Sequence, residues 1–535
     1  MIPLHVHSNY SLLEGAVSID NLINKAAEYK LKSLALTDTN GMYGLIQFAK
    51  KAIEKSIKPI LGAYLDDSSN PKINCLVLAK NNNGYAELCK LITLRKLNED
   101  FSLVELLTHT SKNLFVISSS LNFLKQMERE EIFVELIASE SKKNLNRSLF
   151  EFAKGKGYPV IVTNPIYFLT NEDYLTHKIL TAIKLNKNID NLSPDEVVDP
   201  EYYFKDSLEI ERVWQKLPEV FRNIEFINSN CNVDLKLNEY KFPTFHVPEH
   251  ETALSYLQKI SYEGLTRRYV PFSEKAAKRL NYELSVIDEL NFTDYFLVVW
   301  DIVKEAKRRG MMTIGRGSAA NSLVSYCLGL TEVDPVKYNL YFERFLNKGR
   351  SSPPDVDIDF SWKERDEIVK YVFEKYGYEN VAMISTHVTF RARSAFREVA
   401  KAFGISNHEI SKYSKYIPWT SAENLPNVSQ IFPEAKNLNL NIEPWRTIVN
   451  IAAKIASFPR HLSIHPGGIV VAPKPITNYT ALEYAKNKGL GLIITQPDMY
   501  GVEDLGLVKI DLLSQRSLGV LRDTMNALNK KNKNL

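Results

Sequence analysis

Cysteine is scarce. Cys75, Cys89, Cys231 and Cys327 are the only four in 535 residues, and no two stand as Cys-x-x-Cys. That excludes a thiolate zinc site and a disulfide framework, and it suits buried thiols in a reducing cytoplasm. No apolar run approaches the ~18 residues a membrane span needs, and Met1 leads straight into a strand-like segment without a signal-peptide pattern. A cytoplasmic protein without membrane contact is expected. The Walker A pattern Gly-x-x-x-x-Gly-Lys-Ser/Thr is missing, which excludes a P-loop nucleotide site. An excess of one charge sign is missing too: 67 − 63 leaves a net +4, too little to argue for nucleic acid by itself. With 44% hydrophobic and 24% charged residues the chain is neither disordered nor fibrous. At ~100–200 residues per domain, its length holds about three cores.

What is present begins as an alternation. Residues 1 to about 185 carry β-rich runs at Ile2–His7, Ser33–Thr37, Lys58–Leu61, Ile73–Leu78, Leu114–Ser118, Ile132–Leu136 and Pro159–Thr163. Helix-like segments such as Ile19–Tyr29, Leu45–Lys55 and Lys143–Lys154 separate them. This order predicts βα units and a parallel sheet, closed as a barrel. A connector, Leu235–His250, follows. Phe292–Arg309 then reads as an amphipathic helix with Phe296, Val299, Trp300 and Val303 on its apolar face. A short strand (Met312–Ile314), a glycine loop, a helix running to Gly329 and an acidic strand at 354–360 come next. Residues 362–465 read as mostly helical, and 466–513 return to strand-like runs at Gly468–Val471, Leu490–Thr495 and Leu507–Leu512. An α/β unit followed by an α+β unit with a helical insertion is expected, with a frayed Lys/Asn-rich tail at Asn529–Leu535.

The chemistry concentrates in Pro354-Asp355-Val356-Asp357-Ile358-Asp359-Phe360. On a strand the i, i+2 and i+4 side chains share a face, so the three aspartates line up at ~6.6 Å intervals while Val356, Ile358 and Phe360 face the core. Like charges so placed call for a cation, and hard carboxylate oxygens suit Mg²⁺, used in pairs for phosphoryl transfer. A solvated edge strand is the bland alternative. A second strand, Leu507–Leu512, brings Asp511 as a metal ligand or base and Lys509 as a phosphate contact.

Gly315-Arg316-Gly317-Ser318-Ala319-Ala320-Asn321 follows the short strand and opens a helix, a seat for phosphate or a plain N-cap. Residues 381–470 contain ten Lys/Arg against five Glu, so 10 − 5 = +5 exceeds the net charge of the whole chain. Arg391, Arg393 and Arg397 lie in this stretch, and Arg393 and Arg397 (i, i+4) share a helix face suited to phosphates or simply to solvent. Arg460-His461 and His465-Pro466-Gly467-Gly468 form a turn that meets a nucleic-acid backbone or serves the fold.

Taken in order, Gly315–Asn321, Pro354–Phe360, His465–Val471 and Leu507–Leu512 resemble the α subunit of bacterial DNA polymerase III, a C-family polymerase, and the resemblance runs from Leu4 to about Leu521. It implies a polymerase-and-histidinol-phosphatase (PHP) βα barrel over 1–235 and a polymerase-beta-like nucleotidyltransferase palm over 236–385 and 463–520. It also implies a helical thumb over 386–462 and a basic tail at 521–535. It makes Asp357, Asp359 and Asp511 the catalytic ligands of two Mg²⁺ ions, and it puts Arg316, Gly317, Ser318, Arg350 and Lys509 around the dNTP triphosphate. The implied partners are primer–template DNA, dNTPs and other replisome subunits. Family members continue past the Lys-x-Asp strand into fingers, a clamp-binding region and an oligonucleotide-binding domain, so the resemblance implies a chain truncated before the fingers.

His5-x-His7 ends the first strand, where a barrel places functional residues, and Glu14 and Asp38 are candidates to join it around a divalent metal. The PHP pattern is incomplete. Its Asp-His is Asp38-Thr39 here, its next Glu is Tyr64, and its Asp-x-His is Pro165-Ile166-Tyr167, which leaves His177 as a further candidate ligand. A PHP domain without the full metal cluster is expected. Two rivals remain: a PHP-type phosphoesterase or 3′–5′ exonuclease using His5 and His7, and a noncatalytic remnant that binds DNA or partner subunits.

Overall fold

The computed structural model describes residues 1–533 apart from 111, 129–130, 350–353, 355 and 486–490. Among them, six strands form one sheet in chain order: β1 (Ser33–Leu36), β2 (Lys58–Asp66), β3 (Asn74–Ala79), β4 (Leu114–Ser118), β5 (Ile132–Ile137) and β6 (Val160–Thr163). β1, β4, β5 and β6 are buried along their whole length, which is why they read as continuous apolar runs. The run at Ile2–His7 makes only a single bridge, Val6 to Ile166. Its hydrogen bonds nevertheless reach both ways. Pro3 and Val6 carbonyls accept from Ala35 and Thr37 beside β1, and the His7 amide donates to Ile166 beyond β6. The two sheet edges are thereby joined, and the sheet curls as a barrel does.

The sheet is mixed, where the helix-separated strands predicted a parallel one. β3 runs antiparallel to both β2 and β4, because residues 67–73 between β2 and β3 are too few for a crossover helix. The pairs β1–β2, β4–β5 and β5–β6 are parallel.

A second sheet contains β7 (Thr313–Arg316), β8 (Asp357–Ser361), β9 (Val381–Thr389), β10 (Pro459–Val471), β11 (Leu482–Tyr484), β12 (Ile493–Asp498) and β13 (Lys509–Gln515), ordered β11-β12-β9-β10-β13-β8-β7. The stretch 362–465 is mainly helical as expected, with β9 and the first half of β10 as strands the pattern did not show. The helices between β9 and β10, among them Ala392–Ala402, Asn407–Ser414 and Trp445–Lys454, pack around a core of Phe396, Trp445 and Ile448 that also takes in Ile179 and Leu180 of the N-terminal unit. The helix Thr293–Arg308 buries Phe296, Val299 and Val303 beneath the sheet. The glycine loop does not open a long helix. It forms a 3₁₀ turn, Gly317–Asn321, followed by the short helix Leu323–Cys327. Nor is the tail frayed across its described part, since the last helix spans Arg516–Lys533.

The two sheets meet through one face of the N-terminal unit. Ile46 shares a core with Ala382, Val470 and Leu482. The Met42 amide donates to Gln496 Oε1 at 2.9 Å and the Tyr43 hydroxyl to Glu483 Oε2 at 2.6 Å.

Candidate active site

β8 and β13 are parallel neighbours, and their register sets Asp357 opposite Asp511 and Asp359 opposite Leu513. The alternation does what its period predicts: Val356, Ile358 and Phe360 are buried in the core, and Asp357 and Asp359 share the other face. Asp359 and Asp511 are themselves only 8% and 5% exposed. β7 flanks β8 on its other side with Arg316 opposite Asp357. Arg316 Nε lies 3.8 Å from Asp357 Oδ2 and 3.5 Å from Asp359 Oδ1. Lys509 Nζ donates to Asp511 Oδ2 at 2.8 Å, and Gln515 Nε2 to Asp359 Oδ1 at 3.3 Å. Asp511 Oδ1 is buried with no hydrogen-bond partner among the described residues.

Among the described residues no three acidic, His or Cys side chains converge as a ready-made metal cage. The donor set still fits a hard divalent cation. It consists of carboxylates on adjacent strands, largely withdrawn from water, with one oxygen left unsatisfied. Arg350 lies outside the described residues, as does Asp355.

Gly317 adopts φ +70°, and a Cβ there would stand 3.6 Å from Asp357 Oδ2, so the loop's left-handed turn runs directly past the carboxylates. The helix after the loop offers no open anion seat. Glu283 Oε2 accepts from the Val324 amide at 3.1 Å and from the Ser322 hydroxyl at 2.9 Å, and Ser322 Oγ caps the Ser325 amide at 3.1 Å. Arg279 pairs with Glu283 at 2.9 Å and donates to the Asn321 backbone carbonyl at 2.8 Å, while Asn321 Nδ2 donates to the Ser318 carbonyl at 2.9 Å. Burial pushes the Glu283 carboxyl up in spite of Arg279. Sequence reading missed this brace. Its signal was a Glu on the apolar stripe Ala276, Leu280, Leu284 and Ile287.

His465 folds back under its own turn, where Nδ1 accepts from the Gly468 amide at 2.7 Å and the Gly467 amide at 3.3 Å. Buried Arg365 ties this turn to β13, donating to the Leu512 carbonyl at 3.0 Å and the Pro466 carbonyl at 3.3 Å. Among the other basic candidates, Arg393 donates to the Ile417 carbonyl and Arg397 to Ser414 Oγ at 3.1 Å, so their common face braces residues 411–417. Arg460 pairs with Glu398 at 2.9 Å. Arg391 stays exposed, its guanidinium 5.9 Å from the ring centre of Trp419.

At the N-terminal histidines, His5 Nδ1 meets Glu135 Oε1 at 2.7 Å and His5 Nε2 meets His7 Nε2 at 3.1 Å. Thr163 also donates to Glu135 Oε1, at 2.6 Å. Glu135 went unread in the sequence, although an acid inside the buried run IFVELI was the available sign. Burial works against its charge, yet the His5 charge and these hydrogen bonds hold Glu135 below the usual carboxylate range. Burial drives His7 well below its ordinary value.

Asp38 accepts from the Ser8 amide at 2.7 Å, Ser8 Oγ at 2.8 Å and Ser11 Oγ at 2.7 Å, and burial outweighs those bonds to push its carboxyl up to about 6. Glu14 is held by Thr39 Oγ1 at 3.0 Å and by Lys184. His177 spends both nitrogens on backbone, Nδ1 on the Glu14 carbonyl at 2.8 Å and Nε2 on the Val198 amide at 3.1 Å. Aromatic rings fill the remaining space. Tyr167 stacks on His7 with centres 4.0 Å apart, and Tyr64 on His5 at 5.6 Å.

Comparison with known proteins finds two families along the chain. Residues 3–144 match the family described as PHP domain, and residues 255–514 match the one described as bacterial DNA polymerase III alpha NTPase domain. An error-prone DNA polymerase of Symbiobacterium thermophilum is 34% identical over 571 aligned residues, covering 98% of this chain and 52% of the relative. The chain carries a PHP domain and a bacterial DNA polymerase III alpha NTPase domain. The DNA polymerase III subunit alpha of Bacillus subtilis is 33% identical over 556 residues, 99% of this chain and 49% of that protein. The subunit alpha of Aquifex aeolicus is 32% identical over 97% of this chain and 52% of that protein. The chain thus spans about half the length of the curated relatives it matches. Among the described residues no helix is long and apolar enough to cross a membrane.

Proposed function

We propose that the chain carries the nucleotidyl-transfer centre of a C-family DNA polymerase, joining a dNTP to a primer 3′-OH on template DNA in the cytoplasm, alongside other replisome subunits. The observation that carries this is the register of β8 and β13, which sets Asp357 opposite Asp511 with Asp359 on the same face. Residues 1–235 are assigned to the PHP unit, 236–385 and 463–520 to the palm, 386–462 to the thumb and 521–535 to the tail.

Asp357, Asp359 and Asp511 would hold Mg²⁺, taken as two ions, which supply charge neutralisation at the reacting phosphate and lower the pKa of the primer hydroxyl. The chain's own residues do the rest. Arg316 and Lys509 bind the triphosphate as cations, with Arg350 as a third. Gly317 and Ser318 let the nucleotide approach the carboxylates, since the loop carries no side chain at its tightest point. Arg365 and the His465 turn hold β13 in place. Arg391 supplies positive charge toward the DNA backbone, and Arg393, Arg397 and Arg460 add to that charge from within their own contacts.

The test is primer extension by the purified chain with primer–template, dNTPs and Mg²⁺. Asp357→Ala or Asp511→Ala should abolish extension, and His5→Ala should leave it. The reverse pattern would move the chemistry to the PHP site.

A further inference from the structure

We propose that Arg316 and Lys509 are exchangeable counter-ions of the carboxylate cluster. They neutralise it while no divalent cation is bound and yield their places when one binds. The inference rests on reading Asp357, Asp359 and Asp511 as the metal-binding set, and it deepens that reading.

Charge is the first argument. Arg316 faces Asp357 and Asp359, and Lys509 faces Asp511. A divalent ion held by those carboxylates sets a like charge at close range beside both cations and weakens their hold.

Exposure is the second. The Asp511, Asp359 and Asp357 side chains are 7%, 12% and 26% exposed, against 18% for Lys509 and 47% for Arg316. The acids are fixed on mid-sheet strands, while Arg316 has a wide way out to solvent and Lys509 a narrower one. Geometry is the third. Arg316 reaches its two acids only at 3.5 and 3.8 Å, beyond good hydrogen bonding, and Lys509 holds one Asp511 oxygen while buried Oδ1 has no hydrogen-bond partner among the described residues. A permanent buried ion pair satisfies its oxygens; this arrangement leaves one unsatisfied. Exchange also frees both cations for the anionic nucleotide that the proposed reaction brings.

Thermal unfolding of the full chain, in chelator and then in saturating Mn²⁺, decides it. Lys509→Met and Arg316→Gln should each melt ~2–4 °C below wild type without metal, because the acids lose a counter-ion. With Mn²⁺ the gap should close or reverse, and calorimetry should show Mn²⁺ binding the variants about tenfold more tightly. A gap that Mn²⁺ leaves unchanged would make both side chains fixed structural partners and overturn the exchange alone. If wild type does not respond to Mn²⁺, or if Asp511→Asn responds as wild type does, the carboxylates are not the metal set and both readings fall together.

Discussion

His465 Nδ1 lies 3.6 Å from Asp511 Oδ1, yet no proton joins them, because that nitrogen accepts from the Gly467 and Gly468 amides. Gly468 in turn is the register partner of Asp511 across β10 and β13, and it lies within the stretch between Ile464 and Ile469 where the pairing of β10 with β9 shifts register. The imidazole therefore acts on Asp511 through the turn. His465→Ala should lower primer extension about 10–100-fold with little change in unfolding temperature. His465→Asn, whose side-chain oxygen can accept the same amides, should recover most of it. Equal losses in both variants would refute the turn as the route.

The Asp38 carboxyl gives stability a definite pH dependence. Its folded pKa of about 6 exceeds the ordinary 3.8, so the folded state binds this proton more tightly. The resulting stability is complete below the unfolded value and is lost as pH rises through the folded one. Asp38→Asn copies the protonated form and escapes that loss. Relative to wild type it should gain stability from about pH 4 to about pH 6 and then level off, by about 3 kcal/mol at most. His7 titrates in both proteins and cancels. Urea unfolding across that range reads the difference, and a flat difference would contradict the assignment.

For His177 the expected loss is of stability alone. Replacing it by Ala strands the Glu14 carbonyl and the Val198 amide and should cost ~1–3 kcal/mol. Bound metal, measured by elemental analysis, and primer extension should both match wild type. A fall in metal content would restore His177 to the ligands.

Glu283 is fully buried and anchors the glycine loop from behind. Glu283→Ala removes the partner of Arg279 and of two further donors and should cost ~3–5 kcal/mol. Glu283→Gln keeps an acceptor for the Val324 amide and should fold well. Its defect should appear as a raised KM for dNTP with kcat nearly intact. A kcat defect at unchanged KM would argue against a role in holding the nucleotide loop.

The acidic strand was legible because its period of two leaves one reading: apolar side chains inward, acids on the other face. The Lys-x-Asp of β13 was legible for the same reason. That β13 pairs with β8 depends on contacts between distant segments, which no local pattern encodes. β9 was hidden among helices, although its run VAMISTHVT is rich in strand-forming residues. Arg393 and Arg397 do share a face as their spacing predicts, but spacing is silent on what that face meets. Thr39, Tyr64 and Tyr167 stood out against the PHP pattern. The buried Glu135 that completes the histidine chain did not, because its neighbours read only as core.

Met42, Tyr43 and Ile46, which join the barrel to the second sheet, lie outside the ring of histidines and tyrosines at its mouth. The face turned to the second sheet is therefore separate from the stacked rings of His5, His7, Tyr64 and Tyr167. Removing the barrel altogether would bare an apolar seat beneath β10 and β12 and leave Glu483 and Gln496 facing solvent with half their bonds gone. The N-terminal unit is thus a wall for the second sheet, whatever else it does, and a chain begun after it would lose that wall.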